Sequence, residues 1–182
     1  MKFDRAELEL DPIDLRILGL LQENCKKPLA AIGEKVGLTA SSVMERIHKL
    51  ENADVICGYT ALLNARALGK DVTAFIGVSV SQTRGVAPLQ RALEHEDDVL
   101  ECHHITGEHT LMLKVKTENT ESLERLIDTI REHDGVSRTE TMVVLSTHTE
   151  RVSLALHATG SGTLRPRRRR NDGRQRGGES EA

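Results

Sequence analysis

The sequence predicts an α+β protein: a small all-helical head, then a sandwich in which strands and helices alternate. Three observations predict it. Apolar residues recur at three- and four-residue spacing up to Leu50. They alternate at a period of two from Val72. From Thr159 onward they all but vanish, leaving Gly, Ser, Arg and Pro.

The head reads as three helices. Asp11 is an N-cap with Pro12 at the first helical position, and Ile13, Ile17, Leu20 and Leu21 line one face of a helix running to about Asn24. Leu29, Ile32 and Val36 give a second helix its apolar stripe, and Gly37 supplies the left-handed residue that ends it. Leu38 plugs the corner. Thr39 caps a third helix whose buried stripe is Val43, Ile47 and Leu50. Two short helices joined at a glycine have helix-turn-helix geometry, in which the second helix enters the DNA major groove. The expected DNA-contacting residues are therefore Thr39, Ala40, Ser41, Ser42, Glu45, Arg46, His48 and Lys49. Small residues at the helix start let backbone N–H groups approach phosphates, and Arg46 can fork onto a guanine edge or a phosphate. An ordinary αα-hairpin with a solvated face fits the same spacing.

In the second part, residues 72–80 place Val72, Ala74, Ile76, Val78 and Val80 on one face of a strand and Thr73, Phe75, Gly77 and Ser79 on the other. A helix from Pro88 to about His95 turns Leu89, Ala92 and Leu93 inward. Val99–Thr106 and Thr110–Lys116 form a hairpin around Gly107, Glu108 and His109, with Leu111, Leu113 and Val115 buried. A second helix starts at Asn119 or Thr120 and carries Leu123, Leu126, Ile127 and Ile130 at helical spacing, with Glu121 and Glu124 where the dipole favours acids. Gly135 stops it, and Thr139–Leu145 is the last strand. The order βαββαβ is the ferredoxin-like arrangement, with both helices on one sheet face. The other face needs a cover, and a second copy of the chain is the natural one.

Other classes are disfavoured. Residues 1–10 hold no apolar run suited to a signal peptide or membrane span, so a cytoplasmic protein is expected. Cys25, Cys57 and Cys102 are odd in number and widely spaced, and are expected to be reduced, mostly core thiols. His103 and His104 point to opposite faces of a strand and cannot share one ion, so no metal and no cofactor are expected. His103, His104 and Arg138 are the only residues that hint at catalysis, and no nucleophile with a paired base accompanies them, so no enzyme is expected.

Four segments together resemble the Lrp/AsnC, or feast/famine, family of transcriptional regulators: LDPIDLRIL, IGEKVGLTASSVMERIHKLE, VICGYTALLN and ECHHITGEHTLMLKVKT. The resemblance runs from about Leu10 to Ser153. It implies a winged-helix-like head joined to a RAM-type sandwich that dimerises and binds small effectors, with homodimers assembling to tetramers, octamers or larger discs. With the change of composition at Thr159, it gives these divisions: an N-terminal arm at 1–9, a helix-turn-helix domain at 10–54, an interdomain strand and linker at 55–71, a RAM domain at 72–158 and a disordered tail at 159–182. It also places an effector site at Gly107, Glu108, His109 and Thr110 with Met142, Val143 and Val144 beside it. An amino acid is the expected effector, its carboxylate taken by backbone N–H groups at Gly107 and Glu108. Two positions depart from the pattern: Asp54 stands where the family has glycine, and Thr110 where it has a second acid. Aspartate tolerates a left-handed turn. His109 or Thr110 must serve in place of the missing carboxylate.

From Leu164 the tail carries seven arginines against three acids, while the whole chain has a net charge of −3. Positive charge is thus concentrated at one end, where Arg165 and Arg167–Arg170 would release counterions from phosphates. Two functional readings follow. One is a sequence-specific DNA-binding transcriptional regulator modulated by an amino acid or related metabolite. The other is a ligand-independent, nucleoid-type architectural protein of the same fold that reads DNA deformability.

Overall fold

A computed structural model describes residues 10–156, apart from the side chain of Thr83. The expectations for the N-terminal arm at 1–9 and for the arginine-rich tail lie outside the described residues. Within them the chain divides into two compact units, one of residues 10–61 with 152–156 and one of residues 62–151.

The first unit holds α1 (Pro12–Glu23), α2 (Leu29–Val36) and α3 (Ala40–Asn52). Among its described residues there is no strand, so its likeness to a winged helix rests on the helices alone. At the start of α1, Asp11 and Asp14 form a reciprocal capping box, each carboxylate accepting from the other's backbone N–H. α2 ends at Gly37, which has a φ of 73°, and Leu38 N–H then donates to the Gly33 carbonyl. The turn folds back so closely onto α2 there that a Cβ on Gly33 would collide with the Leu38 carbonyl oxygen. Ile17, Leu20, Ile32, Val43 and Ile47 make the core, with Ile13, Leu21, Leu29, Val36, Leu38 and Ile56 packed around it. Each such aliphatic side chain contributes about 1.5–3 kcal/mol on burial. After α3 the chain turns at Asp54, with a φ of 56°, and the N–H groups of Val55 and Ile56 both reach the Leu50 carbonyl. Aspartate therefore adopts the left-handed conformation that the turn requires.

The second unit is a four-stranded antiparallel sheet of order β2-β3-β1-β4, built from β1 (Val72–Val80), β2 (Val99–His104), β3 (Leu111–Thr117) and β4 (Val136–Val143). Helices α4 (Val86–Leu93) and α5 (Thr120–Arg131) cover one face. Ala74, Ile76 and Val78 of β1 and Leu111, Leu113 and Val115 of β3 pack there against Leu89 and Leu93 of α4 and Leu123, Leu126 and Ile130 of α5. Asn119 caps α5 in a second capping box with Ser122. Side chains of Phe75, Met112, Lys114, Lys116 and Met142 belong to the other face, where Glu150 pairs with Lys114 and, at 3.3 Å, with Lys116.

Several boundaries differ from expectation. α4 begins two residues early, because proline at its third position needs no N–H in the first turn. β4 begins at Val136 and ends at Val143: an irregularity at Ser79/Val80 extends its pairing with β1 toward Gly135, and the Val144 N–H to the Thr73 carbonyl is the last bond of the ladder. The expected interdomain strand within 55–71 does not form, since a strand needs a neighbouring ladder and a single chain offers none. Leu62 and Leu63 are left more than 70% exposed. The cysteines are not mostly core: Cys25 and Cys57 are exposed and only Cys102 is partly buried, its thiol pushed up by desolvation. Among the described residues no helix is long and apolar enough to cross a membrane.

Candidate functional site

The outward face of α3 is built by its cap and by its apolar stripe. Thr39 Oγ1 accepts from Ser42 N–H at 3.2 Å and lies 3.0 Å from both the Ser41 and Ser42 hydroxyls, which fixes the start of the helix. With Val43, Ile47 and Leu50 in the core, Ala40, Ser41, Glu45, His48 and Lys49 of the expected set are exposed, and Ser42 is half-buried. Met44, which the sequence reading passed over, stands exposed among them. Its place on the face follows from its offsets of three residues from Ser41 and four from His48, a signal masked by its apolar character.

Arg46 is where the structure departs from expectation. Its Nη1 donates to Asp11 Oδ2 at 2.6 Å and to Asp14 Oδ1 at 2.7 Å, so the guanidinium clamps α3 to the start of α1 and does not reach outward. Asp14 is fully buried, and Lys49 Nζ stands 3.6 Å from its other oxygen. Desolvation works to raise the Asp11 carboxyl, but the Arg46 hydrogen bond, the Asp14 N–H and the Arg46 charge outweigh it and hold the group below its ordinary value. The Arg46 pKa is raised by its bonds to both carboxylates. A pair of this kind is a structural tie, and sequence spacing cannot distinguish it from a free guanidinium because Asp11 lies thirty-five residues away.

In the second unit the hairpin end, residues 105–110, folds onto β1. Thr110 donates its N–H to the Val78 carbonyl at 2.9 Å and its hydroxyl accepts from Val80 N–H at 3.1 Å. The His109 ring is buried over Gly77, where a Cβ would collide with it, and its Nδ1 lies 3.2 Å from Ser79 Oγ. His109 Nε2 is 3.3 Å from Glu140, and Arg138 bonds both Glu108 and Glu140 at 3.0 Å. The turn thus meets Ser79, Arg138 and Glu140, residues that only strand register brings to it. Met142 pairs with Phe75, two residues along β1 from Gly77 and on the same sheet face, so it stands about 7 Å along the strand from the residue beneath the His109 ring, next after Glu140 on that face. Val143 pairs with Ala74 and points to the opposite face, and Val144, whose N–H donates to the Thr73 carbonyl, lies farther along β1. Among the described residues no group of three His, Cys, Asp or Glu side chains has the geometry to hold a metal ion.

A helix-turn-helix head followed by a βαββαβ sandwich defines a DNA-binding transcriptional regulator with an attached ligand-binding-type domain, and the comparisons agree. Residues 10–51 match the AsnC-type helix-turn-helix domain and residues 73–154 the Lrp/AsnC ligand binding domain. The HTH-type transcriptional regulator FL11 of Pyrococcus abyssi is 36% identical over 149 residues, covering 82% of this chain and 98% of the relative. An uncharacterized HTH-type transcriptional regulator of Bacillus subtilis, YezC, is 40% identical over 137 residues, covering 75% and 94%. Among solved structures, the transcriptional regulator NMB0573 of Neisseria meningitidis in complex with L-Met superposes with a TM-score of 0.77 at 29% identity, covering 81% of this chain and 97% of that one. E. coli AsnC gives a TM-score of 0.75 at 27% identity, covering 80% and 99%. The chain belongs to the Lrp/AsnC family of transcriptional regulators.

Proposed function

We propose that this regulator binds specific DNA sites as a homodimer or larger assembly, through the exposed face of α3, and that an amino acid bound near the 107–110 turn biases its assembly. The capped, outward-facing α3 carries the DNA reading: Ser41, Met44, Glu45 and His48 are presented at helical spacing, with Lys49 exposed beside them. The uncovered sheet face and the unpaired segment 57–64 support a second copy as partner, since each supplies what the other copy lacks. For the effector, Arg138 offers a guanidinium for a carboxylate, and Glu108 and Glu140 offer charge to an ammonium group, so the acid absent at position 110 has a substitute on β4. The L-Met bound by the neisserial relative supports an amino acid of this kind.

The test is selection of random duplexes by the full chain, followed by light-scattering mass and binding isotherms across the amino acids, with Arg138→Ala as control. The proposal expects an enriched, roughly palindromic sequence. It also expects a mass shift with at least one amino acid that Arg138→Ala removes while the dimer persists. Enrichment without any mass shift would remove the effector from the proposal, and absence of both enrichment and mass shift would favour the architectural reading. One observation counts against that reading: residues 10–61 carry six basic against seven acidic side chains, little charge for the backbone binding on which an architectural protein relies. A single strong footprint would argue against it.

A further inference from the structure

Ser41, Met44, Glu45, His48 and Asn52 form one continuous exposed face of α3. Met44 sits at its centre with 46% of its surface open to water, flanked by polar groups and, one turn earlier, by the small Ala40, so it is the one large apolar side chain exposed on α3. Arg46 is tied to Asp11 and Asp14, so this face carries no guanidinium to fork onto guanine. Glu45 repels phosphate, which disfavours backbone contact at the middle of the face. What remains suits a base edge with an apolar feature. In the major groove that feature is the 5-methyl group of thymine. An unbranched thioether has the freedom to settle against it.

We propose that Met44 is a specificity-determining residue that reads a thymine methyl group in each half-site. The inference rests on the DNA-binding reading of α3. Its test uses the full chain and the duplex enriched by selection, with each thymine replaced in turn by deoxyuridine, which removes only the methyl. One position per half-site should lose about fourfold in affinity, the value of one buried methyl-sized group. Met44→Ala should bind the thymine and deoxyuridine forms of that site equally, and Met44→Leu should keep the discrimination. Because Met44 lies outside the core, affinity for a random duplex serves as the control for folding and should be unchanged in both variants. Deoxyuridine that is harmless at every position, or equally harmful to the parent and to Met44→Ala, overturns the assignment. Failure of any duplex to be enriched would instead overturn the DNA reading, and this inference with it.

Discussion

Replacing Arg46 by alanine should loosen the helical head before it alters sequence preference. Asp14 has no exposure to water and receives the Arg46 guanidinium at 2.7 Å, the Asp11 N–H at 3.3 Å and the Lys49 ammonium at 3.6 Å. Removing one partner of a buried ion pair costs about 3–5 kcal/mol. Arg46 is itself 28% exposed and Lys49 can move closer, which lowers the expectation to about 2–3 kcal/mol. The bond to Asp11, which is 42% exposed, adds little. Hydrogen exchange followed by mass spectrometry reads this directly. Amides in 12–23 and 40–52 that open with the head should exchange roughly 30- to 150-fold faster, while 72–80 is unaffected. Substituting both partners, Asp14→Leu with Arg46→Met, should recover most of the loss, because the uncompensated buried charge is gone. Unchanged exchange in Arg46→Ala, combined with lost discrimination between specific and random duplexes, would refute the clamp and restore Arg46 as a base reader.

Three further outcomes follow from the same geometry. Gly77→Ala forces a methyl into the His109 ring, so the sandwich should lose about 1–3 kcal/mol, measured as a lower urea midpoint with an unchanged slope; an unaltered midpoint would show that the turn is not packed there. Glu150 is held below its ordinary value by hydrogen bonds from Lys114 and Lys116, and a depressed carboxylate stabilises above its unfolded pKa and loses that stability as pH falls through the folded one. The urea midpoint of Glu150→Gln should accordingly fall less steeply than the parent's as pH is lowered below about 4.5. Deleting residues 164–182 removes seven arginines and should make the dependence of log K on log salt shallower without changing the enriched sequence; an identical slope would mean that the arginines do not touch DNA.

The helices of both units, the left-handed turns at Gly37 and Asp54 and the order of the strands were legible in the sequence, because they follow from local periodicity and from residues whose backbone preferences are strong. The apolar stripe of α3 likewise assigned its buried side, and so its exposed one. What lay beyond reach was every decision made by residues distant in the chain. Arg46 was read as exposed from its helical position, yet its length and charge let it reach back to Asp11 and Asp14, and a long side chain's direction is set by the nearest uncompensated charge rather than by its Cα. Strand register placed Arg138 and Glu140 beside the 107–110 turn, set Met142 one step beyond Glu140 on the same face and turned Val143 to the other face, and register depends on pairing across the whole sheet. Gly77 read only as one small residue in a strand. The tertiary structure makes it the floor beneath His109, since the room a glycine leaves is defined by whatever packs against it.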